Sequence, residues 1–177
     1  MAEAFSNSLS RAVGVVTTNS AGAVGVTTNK ITGISTVGVS VGYIVDNTNY
    51  IFGTRVSTVG IGSVIMDRNS TNTAAATSQT VKFLGLTSSF TATSKSILIG
   101  GTFANNTDNS VNLTIEVHDS SSNKISALAQ KIPVPTGSSF VISDAGKTVL
   151  ETSDSVRVYC DTANGIDVNL SILTGVN

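Results

Sequence analysis

Two stretches of this sequence alternate residue by residue, and that constrains the fold more than anything else in it. Val156, Val158 and Cys160 alternate with Arg157, Tyr159 and Asp161; Ile166, Val168, Leu170 and Ile172 alternate with Asp167, Asn169 and Ser171. A period of two sends successive side chains to opposite faces of an extended chain, so each stretch reads as a strand with one dry and one wet face. Asn164-Gly165 between them tolerates positive φ and predicts a tight hairpin turn. The dry row, Val156, Val158, Cys160, Val168, Leu170 and Ile172, is the expected core. The wet row, Arg157, Tyr159, Asp167 and Asn169, is a candidate contact surface, with an ordinary solvated face as the blander reading.

The same pattern recurs upstream. Val111, Leu113, Ile115 and Val117 alternate with Asn112, Thr114, Glu116 and His118. Further strands are expected at 81–90, 96–103, 124–131, 138–142 and 148–150, separated by turn clusters such as Asn105–Asn109 and Asp119–Asn123. Pro133 and Pro135 exclude a central strand at Val134 and point to an edge or a crossover. So many short strands in residues 80–177 predict an antiparallel β-sandwich. Composition agrees: Ser, Thr and Asn make up roughly a third of the 177 residues, and Val leads the large apolar ones. At 40% hydrophobic the chain has enough apolar surface to build a core, so its low charge does not signal disorder.

Residues 13–70 are expected to form a smaller all-β domain, a roll or barrel-like unit. Val13-Gly-Val-Val-Thr-Thr-Asn19 recurs as Val24-Gly-Val-Thr-Thr-Asn29, and Ser35-Thr-Val-Gly-Val39 as Ser57-Thr-Val-Gly-Ile61. Such short units fit successive strands with Gly and Asn at their corners better than a solenoid. Residues 53–59 and 63–66 read as a hairpin around Gly60–Gly62. Residues 71–79, poor in large apolar groups, read as a linker. Residues 1–12 stand apart as an N-terminal arm. Phe5 and Leu9 are four apart, which would put both on one side of one or two helical turns. They are the arm's candidate protein contacts, and on this reading residues 2–11 are dispensable for the fold.

The search for chemistry returns little. Charged residues are 12% of the chain and the formal net charge is −1, which removes the basic face that nucleic acid or an anionic membrane would require. The single histidine, His118, has no second group with which to form a triad. Cys160, the single cysteine, falls on the dry phase and reads as a small buried apolar residue. Zinc needs more His and Cys ligands than this chain carries. Asp46, Asp67, Asp108, Asp119, Asp144, Asp154 and Asp161 sit mostly in turns without calcium-loop spacing, so turn chemistry is their expected role. Aromatics are 5% with no Trp, a poor supply for stacking on sugars. No cofactor, metal site or catalytic residue is expected. The start, Met1-Ala-Glu-Ala-Phe-Ser, lacks the basic and apolar regions of a secretory signal, and no apolar run approaches a membrane span.

Three stretches carry a resemblance: Met1–Phe5 with Ser10–Gly14; Val45–Gly60; and Lys131–Gly137 with Val149–Glu151, Asp154–Arg157 and Asp167–Leu173. In these the chain resembles small β-rich virion structural proteins of tailed bacteriophages, especially the large contractile-tailed phages of marine bacteria such as cyanobacteria. The likeness covers most of the chain as a pattern of strands and turns. It implies a particle component without catalytic residues, located in the virion, with residues 20–75 inserted relative to smaller relatives. The expected function is a non-enzymatic virion structural protein at the neck or tail. It would assemble as a symmetric oligomer and bind itself and adjacent virion proteins. A capsid decoration protein is the first alternative. A host-receptor or glycan-binding adhesin, using Tyr43, Tyr50, Phe52 and Tyr159, is the second.

Overall fold

The computed structural model describes residues 3–143 and 147–176, and among them there are strands, turns and loops but no α-helix. The chain divides into two compact units: residues 1–14 with 87–177, and residues 15–86. The smaller unit is therefore an insertion into the chain of the larger one.

The larger unit is an antiparallel β-sandwich. One sheet contains β1 (Ala4–Val13), β15 (Ile166–Thr174), β9 (Ser96–Asn105) and β12 (Ser139–Ile142) in that order, with β13 (Thr148–Leu150) also pairing with β9. The facing sheet runs β11 (Lys124–Val134), β10 (Val111–Asp119), β14 (Ser155–Cys160) and β8 (Thr87–Thr91). One core lies between them. Leu98, Phe103, Val168, Leu170 and Ile172 enter from the first sheet; Leu113, Ile115, Val156, Val158 and Cys160 enter from the second. The dry row expected from the alternation is all in this core. Pro133 lies on β11, which is the edge of its sheet, where a missing N–H costs no ladder bond.

The Asn164-Gly165 turn is not a hairpin. β14 pairs with β10 and β8, whereas β15 pairs with β1 and β9, so the turn carries the chain from one layer to the other. Asn164 takes φ 53° and Gly165 does not take positive φ, so the paired positive-φ geometry of a two-residue hairpin is absent. Alternation identifies a strand and its buried face but not its neighbour. At the same end of the sandwich, Gly14 sits at φ 130°, and a Cβ there would fall 2.2 Å from the Thr162 carbonyl oxygen and 2.7 Å from Cys160 Sγ.

The helical reading of the arm is also overturned. Ala4–Val13 is strand β1, paired antiparallel with β15 from Ala4↔Thr174 to Val13↔Ile166. A spacing of four returns a side chain to the same face in either period, so Phe5 and Leu9 alone could not separate strand from helix. Ser6, Ser8 and Ser10 oppose Ile172, Leu170 and Val168, and Val13 is in the core. The segment is part of the sandwich and not an appendage to it.

The inserted unit is a six-stranded antiparallel sheet: β4 (Ile44–Asp46), β7 (Ala76–Gly85), β2 (Val15–Val24), β3 (Lys30–Thr32), β6 (Ser63–Met66) and β5 (Val56–Gly60). It rolls until Ile44 of the edge strand β4 bridges Arg55, next to β5 at the other edge, without closing into a barrel. Val24, Ile31, Val45, Tyr50, Val64, Met66, Val81 and Phe83 fill it. The β5–β6 hairpin turns at Ile61-Gly62, as the glycines predicted. The expected linker at 71–79 is a correction: Ala76–Gly85 is the longest pairing partner of β2, and the boundaries fall at 14/15 and 86/87. Small Ala and Thr residues are no obstacle to a strand whose partner supplies the ladder. Nor is the Val-Thr-Thr-Asn repeat structural. Its first copy lies in β2, while the second forms a turn with Thr27 at φ 49°.

Candidate interaction surfaces

Four aspartates are engaged in holding turns and loops. Asp119 Oδ1 accepts the N–H groups of Ser122 at 3.0 Å and Ser121 at 2.9 Å, and both serine hydroxyls donate to the same carboxylate. These bonds, led by the Ser122 N–H, hold its carboxyl well below the usual carboxylate range. Asp154 Oδ1 accepts from Ser120 N–H at 2.9 Å and Oδ2 from Glu151 N–H at 2.9 Å. Asp161 accepts the N–H and the side-chain amide of Asn112. Asp67 accepts the N–H of Arg55. The role expected of the turn aspartates is seen at these four positions; Asp144 lies outside the described residues. Among the described residues no cluster of three or more His, Cys, Asp or Glu is arranged to hold a metal ion.

His118 is half-buried. Arg157 Nη2 donates to its Nδ1 at 2.7 Å, and its Nε2 lies 3.1 Å from Asn123 Oδ1. With Nδ1 accepting, the proton sits on Nε2 and donates to Asn123. The Cys160 thiol is buried against the carbonyl oxygens of Thr162 at 3.1 Å and Val13 at 3.4 Å, and burial pushes its pKa up. It is a packed apolar group, as its phase predicted, and a poor nucleophile.

The four expected contact residues separate into two pairs. Phe5 is 78% exposed and Leu9 72% exposed. Tyr159 is only 3% exposed, which corrects its assignment to an accessible surface. It opposes Thr114, and Arg157 opposes Glu116, in a row on the outer face of the β10–β14 pair that is itself mostly buried. Arg157 is half-buried and committed to His118 and to Ser155 Oγ. Alternation separates the two faces of a strand, but being on the outer face is not the same as meeting water. Tyr50 is buried as well, its hydroxyl donating to the Thr28 carbonyl at 3.1 Å. Two of the four aromatics that would have served a glycan platform are thus inside.

Among the described residues of the sandwich the two most exposed large apolar side chains, Phe5 and Leu9, both lie on β1; Ile125 and Leu128 on β11, Val141 on β12 and Val149 on β13 are less exposed. β1 is the edge of its sheet, and its odd-numbered residues share the outward face with Asp167, Asn169 and Ser171 of β15. Leu9 and Arg11, with Thr102, Ala104, Asp167 and Asn169, line an open groove of about 380 Å³ on that face. Asp167 anchors the end of the strand: its Oδ1 accepts the N–H of Ala12 at 2.7 Å, where φ is 55° and the ladder slips by one residue. This is a β-bulge. The signal for β1 was present in the alternation of Phe5, Asn7 and Leu9 with Ser6, Ser8 and Ser10. It was masked because the serine row is polar yet faces inward. No protein-family model matches the chain, and neither a curated protein nor a solved structure is significantly similar to it.

Proposed function

We propose that this chain is a non-enzymatic structural protein of a tailed-phage virion, which assembles by binding copies of itself and adjacent virion proteins at the neck or tail. The observation that carries the reading is the contrast within the sandwich. Asp119, Asp154, Asp161 and His118 hold loops and strands in place, whereas its two most exposed large apolar side chains among the described residues, Phe5 and Leu9, stand together on an unpaired sheet edge. Exposed apolar groups on a sheet edge are what a protein–protein contact uses, and monomeric proteins defend such edges.

The test is biochemical. Quantitative mass spectrometry of purified particles should find the chain as a stoichiometric component. A neck or tail position gives roughly a few dozen copies or fewer, set by rotational symmetry about one axis. Several hundred would place it on the capsid surface as a decoration protein. Particles of full composition that lack the chain would reject the virion reading.

A further inference from the structure

The exposed edge of β1 is self-complementary. The geometry points to a second copy of this chain as its partner, with β1 pairing antiparallel to β1 of that copy about a two-fold axis through Asn7. This inference rests on the self-assembly reading above and gives it a register.

Three observations lead to it. The first is the lack of defence. β1 is ten residues long, pairs only with β15 among the described residues, and carries neither Pro nor Lys. The comparable long edge of the facing sheet, β11, carries Lys124, Lys131 and Pro133. The remaining sandwich edges, β8, β12 and β13, are five, four and three residues long. Lys, Pro, shortness and bulges are the usual protections against edge pairing; β1 has only the bulge near its C-terminal end, so Ala4–Ser10 is the long edge left open.

The second is register. In an antiparallel pair centred on Asn7, Phe5 of each copy faces Leu9 of the other, and Glu3 faces Arg11. All four residues are exposed in the single chain. The pairing therefore sets an aromatic against an aliphatic group twice, and opposite charges against each other twice, all along one face. A slip of two residues would set Phe5 against Asn7 or against Arg11, and each slip loses both kinds of match. An isologous contact requires this kind of palindromic pattern.

The third is continuity. β1 pairs in regular register with β15 from Ala4↔Thr174 to Ser10↔Val168, and the bulge at Ala12, fixed by Asp167, ends the regular ladder just before Arg11. The regular edge on offer thus carries the Phe5, Asn7 and Leu9 positions, with Glu3 and Arg11 flanking it on either side. Pairing would join two five-stranded sheets into one across the axis.

The register is read by disulfide trapping on the full 177-residue chain. Asn7→Cys should form a cross-linked dimer under mild oxidation, because residue 7 meets its own copy; Cys160 is buried and stays silent. Phe5→Cys alone and Leu9→Cys alone should not cross-link, whereas a mixture of the two should. In sedimentation the parent chain should reach twice its 18.1 kDa mass. Leu9→Glu should weaken dimerisation at least tenfold while leaving circular dichroism unchanged, since the side chain is exposed. Glu3→Arg should weaken it, and adding Arg11→Glu should restore it. A parent chain that stays monomeric at millimolar concentration overturns the pairing, even if the chain is found in particles. An oligomer that forms without residue-7 cross-links overturns this edge and register while self-assembly stands. A cross-linked dimer from a chain absent from particles leaves the pairing intact and removes the virion reading.

Discussion

Asp154 grips Ser120 twice through one oxygen: its Oδ1 accepts the Ser120 N–H at 2.9 Å and the Ser120 hydroxyl at 3.2 Å. Its other oxygen takes the Glu151 N–H, and its own carbonyl accepts from Ala92. One nearly buried carboxylate thereby fastens the loop after β10 to the turn before β14. Asp154→Ala should cost about 3 kcal/mol, as buried N–H groups lose a charged partner. Urea denaturation checks this, with Asp154→Asn intermediate because one of its two side-chain acceptor positions becomes a donor.

Asp119 acts in the same loop and is only partly buried. Its carboxyl is held below the ordinary range by hydrogen bonds from Ser122 and Ser121. The loop is therefore supported above the unfolded carboxylate pKa of about 4, and that support fades as the pH falls below it. Amide resonances of Ser121 and Ser122 should move together in the acid limb of an NMR titration. Asp119→Asn should abolish that movement; a titration midpoint at or above the unfolded value would contradict it.

At the alkaline end the relevant group is Tyr50. Burial raises its pKa to about 12, against a small opposing effect of a hydrogen bond with Ser70. The unfolded chain ionises this tyrosine near pH 10 while the folded chain keeps it neutral, so stability is full below about pH 10 and declines as the pH rises toward 12. Phenolate absorbance should show a late-ionising phase that Tyr50→Phe removes, and the same substitution should flatten the alkaline slope of stability.

Gly14 gives a prediction about the backbone. Its φ of 130° and the 2.2 Å approach of a built Cβ to the Thr162 carbonyl leave no room for a side chain. Gly14→Ala should destabilise the sandwich by roughly 3 kcal/mol or more, measured as a lower denaturation midpoint. A neutral result would mean that the 160–164 segment can move away.

The insertion predicts separability. Val15 and Gly85 are direct Cα partners in the β2–β7 ladder, so the two ends of the inserted unit lie side by side. Replacing residues 15–86 by a short glycine bridge should leave a folded sandwich with the β-rich circular dichroism of the parent. Loss of cooperative unfolding would show that the sandwich needs the insert.

Where the sequence could be read, it was because one physical signal dominated. In β10, β14 and β15 an alternating apolar row meets the core, so period and burial coincide. β1 hid because its inward row is serine and its outward row holds Phe5 and Leu9, the reverse of the usual polarity for a sheet face. β7 hid because its first half, Ala76-Thr-Ser-Gln-Thr80, takes its order from pairing with β2 and not from its own side chains. Tyr159 was misplaced because no local pattern reports what lies over the outer face of a strand. The boundary at 86/87 was invisible for the same reason: β7 and β8 are nearly continuous in sequence yet belong to different sheets.

β1 and β15 are bonded neighbours although the Ala12 to Asp167 hydrogen bond spans 155 positions of the chain. On a ribosome adding roughly 5–20 residues per second, β1 emerges on the order of ten seconds before the strand that will hold it. The contiguous strands of residues 15–86 can complete their own sheet in that interval. The sandwich cannot, and such non-local pairing is intrinsically slow. A nascent chain thus carries Phe5 and Leu9 on an unpaired segment throughout its synthesis, and crowded polysomes become the place where premature pairing between copies is most dangerous. Productive assembly then depends on timing: β15 has to reach β1 before a neighbouring chain does.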